Sequence, residues 1–145
     1  MDKQHFSITI DATPEKIWEL LWDKDTYPIW TRPFSENSTA VTDWKKGSKV
    51  LFLDGNERGM VSVVAENIPN QFMSIEHLGL YKDGVEDLES EEVKEWKGAQ
   101  ENYTLKPLDG QTELRIEMDI NEKYKEMFAG IWPKALQEVK KLAEK

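Results

Sequence analysis

The chain has 145 residues, no cysteine and a formal charge of -9 at pH 7. This length suits one domain with its own core, so we expect a single domain over residues 1–145. The absence of cysteine excludes disulfides, thiolate metal sites and cysteine nucleophiles. The acidic balance disfavours nucleic acid and membrane surfaces as partners, because both carry negative charge.

The amino-terminal and apolar segments predict a cytoplasmic protein. Residues 1–6 lack the basic-then-apolar order of a signal peptide. No apolar run approaches the length of a membrane span, and the run at 61–65 is already broken by Ser62.

The first part of the chain predicts one strand followed by two short helices. Residues 6–10 alternate apolar and polar side chains, which is the period of a half-buried strand. Thr13, Pro14 and Glu15 then supply an N-cap, a first-turn proline and a first-turn acid, which is how helices begin. A second short helix is predicted over 25–30.

From residue 39 onward the pattern predicts antiparallel strands. Three apolar segments separated by turns lie at 47–54, 59–66 and 72–78. Two further strands are predicted at 101–107 and 112–120, joined by the turn Asp109-Gly110.

An acidic stretch at 82–97 interrupts these strands and predicts a loop with one short helix. Ser90 followed by Glu91 and Glu92 is typical of a helix start. Few apolar residues tie this stretch down, so we expect it to open easily, as a lid would. Trp96 needs an apolar surface to rest on, and the mouth of a cavity would provide one.

The last element is an amphipathic helix, predicted from Asn121 to about residue 144. Pro133 removes one backbone hydrogen bond and should kink it. One such helix cannot cover a flat sheet of roughly six or seven strands, so the sheet must curl around it, and a void should remain between them.

Several short motifs carry a resemblance to a known superfamily. They are Ile10-Asp11-Ala12-Thr13-Pro14-Glu15-Lys16-Ile17-Trp18 with Trp30 after it, Gly47, Gly59-Met60-Val61, Pro69 with Phe72, and Trp132-x-x-x-Leu136-x-x-x-Lys140. With the order of elements, they resemble the START-like superfamily, also called SRPBCC, in the branch named for the activator of the heat-shock chaperone ATPase. The resemblance implies an α+β helix-grip fold: a curved antiparallel β-sheet wrapped around a long C-terminal α-helix, with two short helices after the first strand.

The motifs of the resemblance are scaffold markers, and none of them is catalytic. The branch often carries glycine where this chain has Ser48 and Ile131. The change at Ile131 should tighten the pocket beside Trp132.

Metal and nucleophilic sites find little support in the sequence. His5 and His77 are far apart, and neither has a second ligand at helical spacing. The acidic stretch lacks the alternating ligands and central glycine of a calcium loop, and no serine lies in a Gly-x-Ser-x-Gly elbow. We expect no metal and no cofactor.

A ligand cavity is predicted from aromatic side chains on separate elements, with a few polar groups to orient the ligand. Filling of the core is the competing interpretation for these aromatic residues. The predicted lining is Trp30, Phe34, Phe52, Trp96, Tyr103, Phe128 and Trp132, with Glu76, His77 and Tyr81 as further polar members.

Three functions remain open at this point. The leading one is binding of a small apolar or amphipathic molecule in the cavity between sheet and C-terminal helix. A cyclase-, hydrolase- or isomerase-like enzyme could use the same cavity, with an acid or base drawn from Glu76, His77, Tyr81, Glu101 and Tyr103. The third is a co-chaperone-like module that would bind a protein partner through the outer face of the sheet.

Overall fold

The computed structural model describes residues 2–145, and this part of the chain forms one eight-stranded antiparallel sheet and four α-helices. The strands are β1 (Asp2–Ile10), β2 (Thr39–Val41), β3 (Lys49–Leu53), β4 (Arg58–Ile68), β5 (Phe72–Lys82), β6 (Val85–Asp87), β7 (Gln100–Leu108) and β8 (Gln111–Ile120). The helices are α1 (Pro14–Trp22), α2 (Tyr27–Trp30), α3 (Glu91–Lys94) and α4 (Lys125–Ala143). The predicted α+β helix-grip fold is confirmed.

The sheet order is β1-β8-β7-β5-β4-β3-β2, so the first and last long strands are neighbours. β5 pairs with β7 along its first part and with β6 at its far end. The sequence pattern did not predict β6, which lies in the acidic stretch. Its formation depends on backbone pairing with β5, because Val85 is 68% exposed and supplies no buried face.

Local capping signals mark the start of α1 and of the segment that leads into α4. The side chain of Thr13 accepts a hydrogen bond from the Lys16 amide at 3.2 Å and so caps α1. Asn121 also caps, by accepting from the Lys123 amide at 3.1 Å, but it opens a 3-10 turn at Glu122–Tyr124 before α4 begins. α4 then runs through Pro133 without a break.

The core lies between the inner face of the sheet and one stripe of α4. Trp132, Ala135, Leu136 and Val139 of this stripe are buried. The principal contacts of α4 are with β1, α1 and α2, near one edge of the sheet. The inner face of the strands at the other edge therefore receives less cover from this helix.

Two register shifts bend the pairing of β4 with β5. Val61 lies opposite Gly79 while the next residue, Ser62, lies opposite His77, so Leu78 is left without a partner. A β-bulge of this kind increases the local bend and twist, which helps a sheet curl around a helix.

Glycine is required at one position beside the cavity wall. A Cβ added to Gly59 would overlap the carbonyl oxygen of Phe52 on the neighbouring strand. Gly59→Ala should therefore lower the free energy of unfolding by about 1–3 kcal/mol, as overpacking does. Urea unfolding of the variant measures this loss.

Gly130 supplies the matched control, because a Cβ there meets nothing within 4 Å and the residue lies within α4. Gly130→Ala should raise the free energy of unfolding by about 0.5–1 kcal/mol, through its higher helix propensity. Equal effects of the two substitutions would contradict the close strand approach at Gly59.

Candidate functional site

A cavity of ≈ 440 Å³ lies between the inner face of the sheet, α2 and α4. Pockets for small organic molecules are commonly about 300–1,000 Å³. Its wall is built by residues from β2, β3, β4, β5, β7, β8 and all helices except α1. The void predicted from the width of the sheet is therefore present.

All of the predicted lining residues except two lie on this wall. They are Trp30, Phe34, Phe52, His77, Trp96, Tyr103, Phe128 and Trp132. The sequence pattern missed several apolar members, because their segments showed no special signal there: Tyr27 in α2, and Met60, Leu80, Met118 and Ile120 in strands.

Glu76 and Tyr81 do not lie on the wall, and their predicted place in the lining is wrong. Glu76 precedes His77 in an extended strand, and successive side chains point to opposite faces. Tyr81 would share the inner face with His77 in a regular strand. The bulge at Leu78 reverses the phase, so Leu80 lines the cavity and Tyr81 points to the other face.

The deep part of the wall consists of aromatic rings held in fixed positions. The Trp132 ring lies 4.9 Å from the Phe34 ring, 6.0 Å from the Tyr103 ring and 6.3 Å from the Trp30 ring. The indole of Trp30 donates to the Leu21 carbonyl at 3.1 Å. The indole of Trp132 donates to the Met118 sulfur at 2.9 Å.

Trp30, Tyr103 and Trp132 are at most 2% exposed, so they belong to the core as well as to the wall. These three residues therefore pack in the core and also bound the cavity.

The wall reaches solvent at a mouth formed by the start of α4 and by α3. Tyr124 is 41% exposed and Met127 is 48% exposed, and both line the cavity. Glu92 and Trp96 line it from the α3 side. Tyr124 and Met127 give the mouth an apolar rim.

The acidic stretch is more firmly attached than the sequence predicted. Val93 is fully buried, and Ser90 caps α3 by accepting from the Val93 amide at 3.3 Å. Lys97 donates to the Leu88 carbonyl at 3.0 Å, and β6 extends the sheet. The expectation of a stretch held by few apolar contacts is thus wrong at Val93, although the mouth still lies beside it.

Four polar side chains form one chain of hydrogen bonds on the cavity wall and just behind it. The Ser62 hydroxyl lies 2.7 Å from His77 Nδ1, and His77 Nε2 lies 3.2 Å from Glu101 Oε1. The Tyr103 hydroxyl donates to Glu101 Oε2. His77, Glu101 and Tyr103 line the cavity, whereas Ser62 is fully buried behind them.

The hydrogen-bond roles follow from the carboxylate, which can only accept. His77 Nε2 therefore carries a proton and donates to Glu101. In a neutral ring Nδ1 is then an acceptor, and the Ser62 hydroxyl donates to it. The network orients His77 and Glu101 rigidly and places no free nucleophile in the cavity.

The sequence indicated Glu101 only as a candidate acid or base, although its spacing from Tyr103 also predicts a shared face. Residues 101 and 103 lie two apart in β7, so they share a face of the sheet. Their meeting with His77 could not be read from the sequence, because it depends on β5 and β7 being neighbours.

Burial raises the pKa of Tyr103 well above its ordinary value, and the negative charge of Glu101 raises it further. Burial likewise raises the pKa of Tyr27, with a second contribution from Glu101. Both phenols therefore keep their protons at neutral pH and can serve as donors beside this carboxylate.

Residues 2–145 contain no group of three or more His, Cys, Asp or Glu side chains placed to hold a metal ion. Within the same range, no helix combines the length and the apolar character needed to cross a bilayer.

The sequence pattern of the family described as Activator of Hsp90 ATPase homolog 1-like protein matches residues 11–144. No curated protein matches the chain. Solved structures of similar fold are known from several bacteria.

The Aha1 dimer from Colwellia psychrerythraea has a TM-score of 0.73 and 21% identity, over 99% of this chain and 97% of that chain. Protein CV1439 from Chromobacterium violaceum has a TM-score of 0.70 and 16% identity, over 100% of this chain and 99% of that chain. CalU16 from Micromonospora echinospora has a TM-score of 0.64 and 14% identity, over 95% of this chain and 71% of that chain. At these identities the likeness shows the fold alone.

Two phenols, the buried one of Tyr103 and the half-buried one of Tyr27, make stability depend on alkaline pH. Their folded pKa values lie above the unfolded ones, so the folded state holds these protons more tightly. Below about pH 10 the two phenols should therefore leave the free energy of unfolding unchanged. As the pH rises further, the free energy of unfolding should fall. Urea unfolding at about pH 9 and about pH 11 measures the fall.

The double variant Tyr27→Phe/Tyr103→Phe removes both titrating groups and keeps both rings. Its loss of stability between the two pH values should be smaller than that of the wild type. An equal loss in both proteins would show that these phenols are not buried as described.

Proposed function

The chain belongs to the Activator of Hsp90 ATPase homolog 1-like family, and we propose that it binds a small apolar or amphipathic molecule in the cavity beneath α4. The observation that carries this proposal is the cavity itself: ≈ 440 Å³ with aromatic rings from several elements in its wall and one polar network. Sites for small molecules commonly combine an apolar wall with a few fixed polar groups.

The energetics favour an occupant. Side chains that face a void lose dispersion contacts on that side, and a ligand of matching shape restores them. Each buried Å² of apolar surface contributes about 25 cal/mol, before the costs of association. The exposed apolar side chains Tyr124 and Met127 at the mouth add surface that a bound molecule would cover.

A rigid wall also lowers the cost of binding. Trp30 and Trp132 are held by hydrogen bonds from their indole nitrogens as well as by packing. Their rotamers are fixed before the ligand arrives, so little side-chain entropy is lost on binding.

One observation favours acid–base catalysis as a second candidate. His77 and Glu101 are hydrogen-bonded to each other on the wall, which is the kind of pair that transfers protons in enzymes. If the protein turns over a bound compound, His77→Gln should abolish turnover and leave binding in place. Loss of binding alone would assign the pair a positioning role.

The binding proposal is tested by a thermal-shift panel of fatty acids, sterols, flavonoids, amines and small aromatic compounds. A ligand at about 100 times its Kd should raise the free energy of unfolding by about 2.7 kcal/mol. Leu80→Trp places an indole in the cavity and should remove the shift. Met60→Trp, on the neighbouring strand, serves the same purpose should Leu80→Trp fail to fold.

Leu108→Trp is the matched control, since Leu108 is 44% exposed and lies away from the wall. It should keep the shift intact. The proposal fails if no compound gives a saturable shift, or if the cavity-filling variants respond as the wild type does.

A further inference from the structure

We propose that the cavity selects ligands that carry a protonated amine, with the ammonium group bound by the carboxylate of Glu101. This inference rests on the proposed function and adds the chemical class of the ligand. It depends on the charges of the wall, the spare hydrogen-bonding capacity of Glu101 and the rings beside it.

The fixed charges of the wall are all of one sign. Asp54, Glu92, Glu101 and Asp119 line the cavity, and among residues 2–145 no lysine or arginine does. A carboxylate ligand would thus lose its hydration without meeting a permanent cation, and Glu101 would repel it. A protonated amine would instead be attracted by these negative charges.

Glu101 differs from Asp54 and Asp119 in its partners, and from Glu92, which is exposed, in its burial. Asp119 forms an ion pair with Lys3 at 3.0 Å and accepts from the Gln100 amide. Asp54 accepts from two backbone amides of its own turn. Glu101 receives hydrogen bonds from His77 and Tyr103, whereas no lysine or arginine of residues 2–145 pairs with it.

The carboxylate of Glu101 also keeps acceptor sites free. A carboxylate offers roughly four lone-pair positions, and the two known donors occupy two of them. The Glu101 side chain is 15% exposed, and Glu101 lines the cavity. An ammonium group has three donors and could occupy the remaining positions from the cavity side.

The rings near this carboxylate suit a cation. Phe52 lies 6.1 Å from the His77 ring, and Tyr27 stacks on Phe52 at 6.4 Å. Aromatic faces attract ammonium groups, and the attraction grows when water is excluded. Burial raises the pKa of Tyr27 and of Tyr103, and the negative charge of Glu101 raises both further. The formal charge of -9 further favours the approach of cations.

The test compares naphthylethylamine, naphthylethanol and naphthylpropionic acid, which share one aromatic body and differ in their end group. Isothermal titration at neutral pH and low salt should find the amine bound at least about tenfold more tightly than the acid, with the alcohol between them. Glu101→Gln should abolish the preference for the amine and leave the affinity for the alcohol within about threefold.

Glu76→Gln is the matched control, because it removes the same charge from the neighbouring strand but from a residue off the cavity wall. It should keep the preference for the amine. Loss of the preference in both variants would assign it to the overall charge and overturn the role of Glu101.

A second readout uses the two histidines and needs no variant. Bound amine should shift the ring resonances of His77, which contacts Glu101, more than those of His5, which lies outside the cavity with its side chain 68% exposed. Equal affinities for the three compounds, or tightest binding of the acid, would overturn this inference and leave the proposed function standing. If none of the three binds while a compound of the thermal-shift panel does, this inference fails and the proposed function stands.

Discussion

One helix is much narrower than the sheet that it packs against, and the structure depends on this difference in width. An α-helix with its side chains is about 10 Å across, and strands lie about 4.8 Å apart, so one helix covers roughly two strands. α4 packs chiefly on β1, α1 and α2. The inner face of the remaining strands must be covered by other means, and part of it is not covered at all.

Aromatic side chains fill part of the space that α4 leaves uncovered on the inner face of the sheet. Trp30 from α2, Tyr103 from β7 and Trp132 from α4 meet edge-on or tilted, at ring distances of 6.0–6.3 Å. Such rings are large and carry few rotatable bonds, so they bound a cavity without collapsing into it. The same three residues stabilise the core and shape the site, which joins stability to function in this fold.

Much of this arrangement was predictable from local patterns. The cap at Thr13, the apolar stripe of α4 and the grouping of aromatic residues from distant segments all follow from spacing and residue type. The order of the elements followed from the same patterns, and with the short motifs it carried the resemblance to the START-like superfamily. The cavity itself followed from comparing one helix with one wide sheet.

The errors have physical causes that lie outside local patterns. Tyr81 faces away from the cavity because of the single unpaired residue Leu78, and a bulge leaves no clear mark in the sequence. Glu76 and His77 were both assigned to the cavity, although neighbours in a strand point to opposite faces. Glu101 became central only through strand neighbours that the chain order alone does not determine.

The central claim is that the space beneath α4 is open to ligand, and the tryptophan side chains can report on it directly. Trp30, Trp96 and Trp132 line the cavity, whereas Trp18 lies outside it. In a nitrogen-15 NMR titration with a ligand from the panel, the indole signals of the three lining residues should shift saturably with one Kd, and that of Trp18 should not. Shifts confined to Trp18, or equal and non-saturating shifts at all indoles, would contradict the claim.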